Sequence, residues 1–230
     1  MTAHRRPSRG LLIVTLALIM VTLAGCDQSQ PVAAVEGPAG NPDRVEALTE
    51  KQVKRALLTV DDLPAGWSAD AAPTDTSSDS DSTITPPQCG ELFDSLANTQ
   101  QPVAKATADF TAGGIGPLLS HTVSAFESEV AERLERITKV LAECPAFTSR
   151  DGKKATTFEA AALSFPNLGD RTLALRLNGA TQGFDVVMDV IVIAAGGNGV
   201  SLVAGGLTPV PGATLQEIAK TAMTKLADVT

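Results

Sequence analysis

Three thiols and two imidazoles carry most of the nucleophilic and metal-ligating potential of this chain: Cys26, Cys89, Cys144, His4 and His121. His121 lies in an alternating stretch with Leu119, Val123 and Ala125. There it could act as a general base, or be a strand residue that is partly buried or faces solvent. A Ser-His-Asp set could be drawn from the many Ser and Asp residues. However, no Gly-x-Ser-x-Gly elbow lifts a serine onto a strand-to-helix turn. Gly113-Gly114-Ile115-Gly116 runs into Pro117 instead of a helix, so it lacks the dipole with which a dinucleotide loop holds phosphate. Carboxylates occur as runs such as Asp61-Asp62, which suit caps better than acid–base pairs set across a cleft. Asp75, Asp79 and Asp81 lack the glycine and closing glutamate of a calcium loop. The expectation is a domain with no catalytic set, no metal and no cofactor.

Cys26 has a different chemistry. Arg5, Arg6 and Arg9 form a basic leader, an apolar run follows from Leu11 to Ala24, and Leu23-Ala24-Gly25-Cys26 closes it. The run is short for a membrane span, which needs roughly 20 residues. The tetrapeptide resembles the bacterial lipobox. Small residues let the extended backbone enter an intramembrane protease, and the thiol takes diacylglycerol. The alternatives are an ordinary secretory signal with a chance cysteine, or an uncleaved anchor helix. Arg5-Arg6 also fits twin-arginine export, but Pro7 and Ser8 stand where that signal has an apolar pair. The expected organisation is a lipoprotein signal peptide over residues 1–25, a flexible tether over 26–44 and a folded domain over 45–230.

Loss of the leader removes three arginines and no acids. That leaves 15 basic against 26 acidic residues, a net charge of −11. Such a surface disfavours nucleic acid and anionic headgroups, so lipid rather than charge must hold the protein at a membrane. Cys89 and Cys144 remain as an even pair in an oxidising compartment. The default there is a disulfide, the alternative two free buried thiols. A loop of that length adds roughly 4 kcal/mol on the chain-entropy account.

These residues need elements to position them. Val45, Leu48, Val53, Leu57 and Leu58 recur at helical intervals, with Thr49 and Gln52 as a capping box. Pro64 and Gly66 make a turn before Trp67, which reads more readily as a core anchor than as a ligand platform. Residues 70–87 read as a surface loop, and Pro87 opens a short helix carrying Cys89, Leu92, Phe93 and Leu96. Strands are expected over Ala104–Ala112 and Leu118–Phe126. A helix is expected over Ser128–Glu143, capped by Ser124 with Glu127, with Val130, Leu134, Ile137 and Leu141 as its apolar stripe. Arg133, Arg136 and Lys139 would pair with glutamates on its other side. Further strands are expected at Thr156–Phe165, Arg171–Leu177, Gly183–Ala194 and Val200–Gly205. Asn178-Gly179 and Gly196–Gly199 would supply hairpin turns. Thr214 caps a last helix through Leu226. The sum is an α+β fold, an antiparallel sheet with helices packed on it.

Several of these features fall in one order. They are Leu57-Leu58-Thr59-x-x-Asp62-Leu63-Pro64-x-Gly66-Trp67, Cys89, Cys144-Pro145-x-Phe147, and Leu168-Gly169-Asp170 before a strand meander and closing helix. The pattern resembles the PknH-like extracellular domain of actinobacteria over residues 45–230. That family forms the outer sensor part of some mycobacterial serine/threonine kinases and also occurs alone on lipoproteins. The resemblance implies a central antiparallel sheet and a cleft for an unknown ligand. This chain departs from the kinases in having no kinase domain, no spanning helix and a single available disulfide. The expected function is a non-catalytic, lipid-anchored binding or sensor-like module of the cell envelope. Its partner would be a small molecule, a lipid or an envelope protein, held in a cleft between the meander sheet and a helix. The competing readings are an envelope hydrolase and a lipid carrier with a long apolar cavity.

Overall fold

The computed structural model describes residues 47–70, 83–91, 101–113, 116–152, 154–181 and 183–230. The leader, Cys26, the tether, Asp75, Asp79, Asp81, Leu92, Phe93 and Leu96 lie outside them. The strands are β1 (Trp67–Ala69), β2 (Thr83–Thr85), β3 (Ala104–Ala112), β4 (Leu118–Ala125), β5 (Ala146–Asp151), β6 (Lys154–Ala162), β7 (Arg171–Thr181), β8 (Phe184–Ala195) and β9 (Asn198–Gly206). The helices are α1 (Glu50–Arg55), α2 (Val130–Glu143) and α3 (Gly212–Ala227), with residues 87–91 also helical. The strands make one antiparallel sheet in the order β1-β3-β4-β9-β8-β7-β6-β5-β2. The expected α+β class is the observed one.

Alternation along each strand gives the sheet two unlike faces. On one face Leu119 and Val123 of β4, Ile191 and Ile193 of β8, and Val200 and Leu202 of β9 are fully or almost fully buried. Val53 of α1 and Leu215, Ile218 and Leu226 of α3 pack into this same cluster. α1 forms because Thr49 and Gln52 close the expected capping box. On the opposite face α2 sets Val130 and Leu134 against Ala194, Val192 and Leu173. α2 covers the sheet only there.

Leu168-Gly169-Asp170 ties this arrangement together. The Asp170 N–H donates to the Ala194 carbonyl at 2.8 Å, and its carboxylate accepts from the Gly196 N–H at 2.6 Å. A Cβ on Gly169 would stand 2.3 Å from the Ala194 oxygen, so only glycine allows this approach. The Gly196 and Gly197 carbonyls accept from the Val130 and Phe126 N–H groups. The β8–β9 turn thereby seats the start of α2.

Several expectations need correction. Ser124 is paired within the sheet, opposite Lys105 and Gly199, and α2 begins only at Val130, so Ser124 does not stand at its cap position. The Gly196 carbonyl takes the first α2 N–H instead. Asn178 and Gly179 continue β7, and the chain turns near Gly183, whose φ is 86°. Asn198-Gly199 already belongs to β9. Thr214 lies inside α3, which Pro211 precedes as the cap residue. Glu135 bonds to Arg171 of β7 at 2.6 Å, and Arg133 lies over the Phe126 ring, so α2 charges reach beyond their own helix. The expected strand at 156–165 begins earlier and ends at Ala162. β1, β2 and β5 were not expected. β5 and β6 pair up to Asp151 opposite Lys154, and Gly152, with φ 55°, opens the turn between them.

Candidate functional site

His121 is buried on the helix-covered face, at 0% exposure. Its Nδ1 accepts the Leu58 N–H at 3.1 Å, which places the ring proton on Nε2. Nε2 has no hydrogen-bond partner among the described residues. Burial pushes its pKa down from 6.5 to about 4, with Lys225 acting the same way and Asp62 opposing. Ser120 and Thr122, its neighbours in β4, point to the other face by strand alternation. The only histidine of the domain is therefore a core residue tying β4 to the end of the first helical segment.

Two further pairs of charged groups are spent on structure. Arg176 makes a two-pronged pair with Asp189, at 2.6 and 2.8 Å, and Asp189 is 1% exposed. Lys225 of α3 reaches Asp62 at 2.5 Å, and Asp62 also accepts from Thr59 at 2.7 Å. None of these four side chains lines either of the cavities on the opposite face of the sheet. Among the described residues no three His, Cys, Asp or Glu side chains converge as metal ligands.

The accessible chemistry lies on the opposite face, beyond the reach of α2. A cavity of about 560 Å³ opens there, over Val203 of β9, Val186 and Met188 of β8 and Phe158 of β6. That volume is in the range of small-molecule sites. Gly179 of β7 shapes its floor. A Cβ there would come within 2.8 Å of both Phe158 and Val186, so its absence lets those side chains close over the strand. Phe147 of β5 backs Phe158, with ring centroids 5.4 Å apart. Leu118 and Ser120 of β4, Asp109 of β3 and Asp70 complete the far wall. No helix residue lines this cavity among those described, whereas the sequence pointed to a cleft between sheet and helix. A second cavity of about 370 Å³ does lie at that junction, between Arg133 of α2 and the strand residues Lys105, Thr122 and Ser201.

The same architecture occurs in a solved structure. The extracellular domain of PknH from Mycobacterium tuberculosis matches with a TM-score of 0.58 and 14% identity, over 80% of this chain and 98% of that one. The fold is that of the PknH extracellular domain. A putative uncharacterised protein from Mycobacterium smegmatis, an Rv0999 ortholog, also matches at 14% identity over the same shares, with a TM-score of 0.44. No family model matches the chain, and no curated protein does.

Within this PknH-like fold the motif residues are structural. Trp67 in β1 packs partly buried against the main core and lines neither cavity. Cys89 and Cys144 form a disulfide, with Cα atoms 5.8 Å apart. The groove residues Val186, Met188, Val203 and Phe158 were missed from sequence. A signal for them existed in β8, where Val186, Met188, Val190 and Val192 are as apolar as the core-facing Ile191 and Ile193. A strand apolar on both faces needs cover on both. α2 covers only the Val192 end.

Proposed function

We propose that this chain is a lipid-anchored protein of the extracytoplasmic membrane face whose domain binds a ligand and does not catalyse. Residues 1–25 act as the signal peptide, Cys26 carries the lipid, 26–44 form the tether and 45–230 form the binding domain. The observation that carries the binding reading is the apolar cavity on the open sheet face, with His121 sealed on the other side. An apolar concavity with a few polar groups at its edge suits recognition. A hydrolase would need its base beside a nucleophile, and strand alternation separates His121 from Ser120. The likeness to a domain described as extracellular supports the location. Among the described residues no helix is long and apolar enough to cross a membrane. Attachment is assigned to Cys26, since the acidic surface would be repelled by anionic lipid.

Cys26→Ser should move the protein from the membrane fraction to the soluble or secreted fraction. The wild-type N-terminal peptide should carry the added mass of a diacylglyceryl group. Membrane attachment unchanged by the substitution, with no lipid mass on the wild-type peptide, would contradict the anchor.

A further inference from the structure

The two cavities of the open face adjoin. Ser120 lines the larger and Thr122 the smaller, two residues apart on β4; Val203 and Ser201 stand in the same relation on β9. Each step is about 7 Å along a strand. The face thus changes character along one direction. At the α2 end it offers the hydroxyls of Thr122, Ser124 and Ser201 together with the cations Lys105 and Arg133. Arg133 is held at that boundary by the Phe126 ring, 5.1 Å from its guanidinium carbon. At the other end it offers Val203, Met188, Val186 and Phe158. Beyond these, Leu118, Phe184 and Leu207 remain 55%, 63% and 58% exposed. They stand at the start of β4, the start of β8 and just past β9, which the strand register brings to one end of the sheet.

We infer that this face takes a single-chain amphiphile with an anionic head, its hydrocarbon chain over Val203, Met188, Val186 and Phe158 and its head against Lys105 and Arg133. The assignment rests on the binding function proposed above and names its ligand class. From Ser124 to Leu118 the strand runs about 20 Å at roughly 3.4 Å per residue, enough for an extended acyl chain. Charge fixes the orientation. Asp70 and Asp109 stand on the wall of the apolar cavity and would repel an anion there. Lys105 and Arg133 attract it at the other end, in a chain that is otherwise acidic. The hydroxyls beside them donate hydrogen bonds to a carboxylate or phosphate, and such bonds to a charged acceptor are the strong ones.

The test uses the full chain carrying Cys26→Ser, handled without detergent. A fluorescent long-chain fatty acid is titrated beside its methyl ester and the corresponding alkylamine. The carboxylate should bind about tenfold more tightly than the ester, a difference of about 1.4 kcal/mol. Lys105→Gln with Arg133→Gln should abolish that preference and leave ester binding in place. Val203→Asp should weaken both by tenfold or more. The headgroup comparison on the unsubstituted groove needs no groove variant to fold. Equal affinity for all three heads, or preference for the amine that Asp109→Asn removes, would overturn the assignment. A non-amphiphilic ligand retained from the native envelope would overturn it too, while leaving the binding function standing.

Discussion

Replacing both Cys89 and Cys144 with alanine should lower stability by about 4 kcal/mol. The bond spans 55 residues, and on the chain-entropy account a loop of that length strongly restricts the unfolded chain. The native geometry gives little ground for an offset, since the 5.8 Å Cα separation is ordinary for a disulfide. The bond also does local work. It joins the helical turn at residues 87–91 to the end of α2, just before β5. β2 sits at the sheet edge and pairs only with β5, over three residues. Among the described residues that ladder is the one strand pairing of β2, so on loss of the bond amide exchange in β2 and the 87–91 turn should rise most. Denaturant titration of the oxidised protein against the double variant reads the loss. A difference below about 1 kcal/mol would show that the unfolded chain keeps the loop closed by other means.

Acidification should cost the fold roughly 3 kcal/mol, chiefly through His121. Burial holds its folded pKa at about 4 against 6.5 in the open chain, because charging the ring would strand a cation beneath α1 and α3. Between those values the unfolded chain binds more protons than the folded one. The stabilisation is therefore complete above about pH 6.5 and is lost as pH falls toward 4. Asp62 adds a loss at lower pH. Burial opposes its ionisation, but the hydrogen bonds from Lys225 and Thr59 outweigh this and hold its carboxyl below the usual value. His121→Asn keeps an acceptor near the Leu58 N–H but cannot titrate. Its stability should be nearly flat between pH 6.5 and 4, whatever its absolute value. A slope equal to that of the wild type would mean that another group carries the acid response.

The fold was legible where side-chain period and burial agree. β3, β4 and α2 show that agreement: Leu119, Val123 and Ala125 alternate along β4, and Val130 and Leu134 recur along α2. It failed where pairing across the sheet overrides a local signal. Ser124 has the spacing of a cap, but the ladder with Lys105 and Gly199 claims its backbone. Asn178-Gly179 has turn chemistry, but Gly179 is needed in the strand so that Phe158 and Val186 can meet over it. The short edge strands β1 and β2 have three residues each, too few for a periodic signal. The disulfide was legible because cysteine arithmetic leaves one pair. The groove was not, because it depends on which part of the sheet α2 leaves uncovered, and that follows from Asp170 and Gly196 anchoring the helix start.

On the proposed function, the uncovered sheet face holds a ligand. Native mass spectrometry of the protein purified from the cell envelope tests this most directly, with Val203→Asp measured beside it. The wild type should carry a non-covalent mass in addition to any covalent modification, and the variant should lose that mass while keeping its disulfide and its folded charge-state distribution. Bare protein in both samples, together with turnover of an ester, peptide or glycan substrate that His121→Ala abolishes without unfolding, would contradict the account.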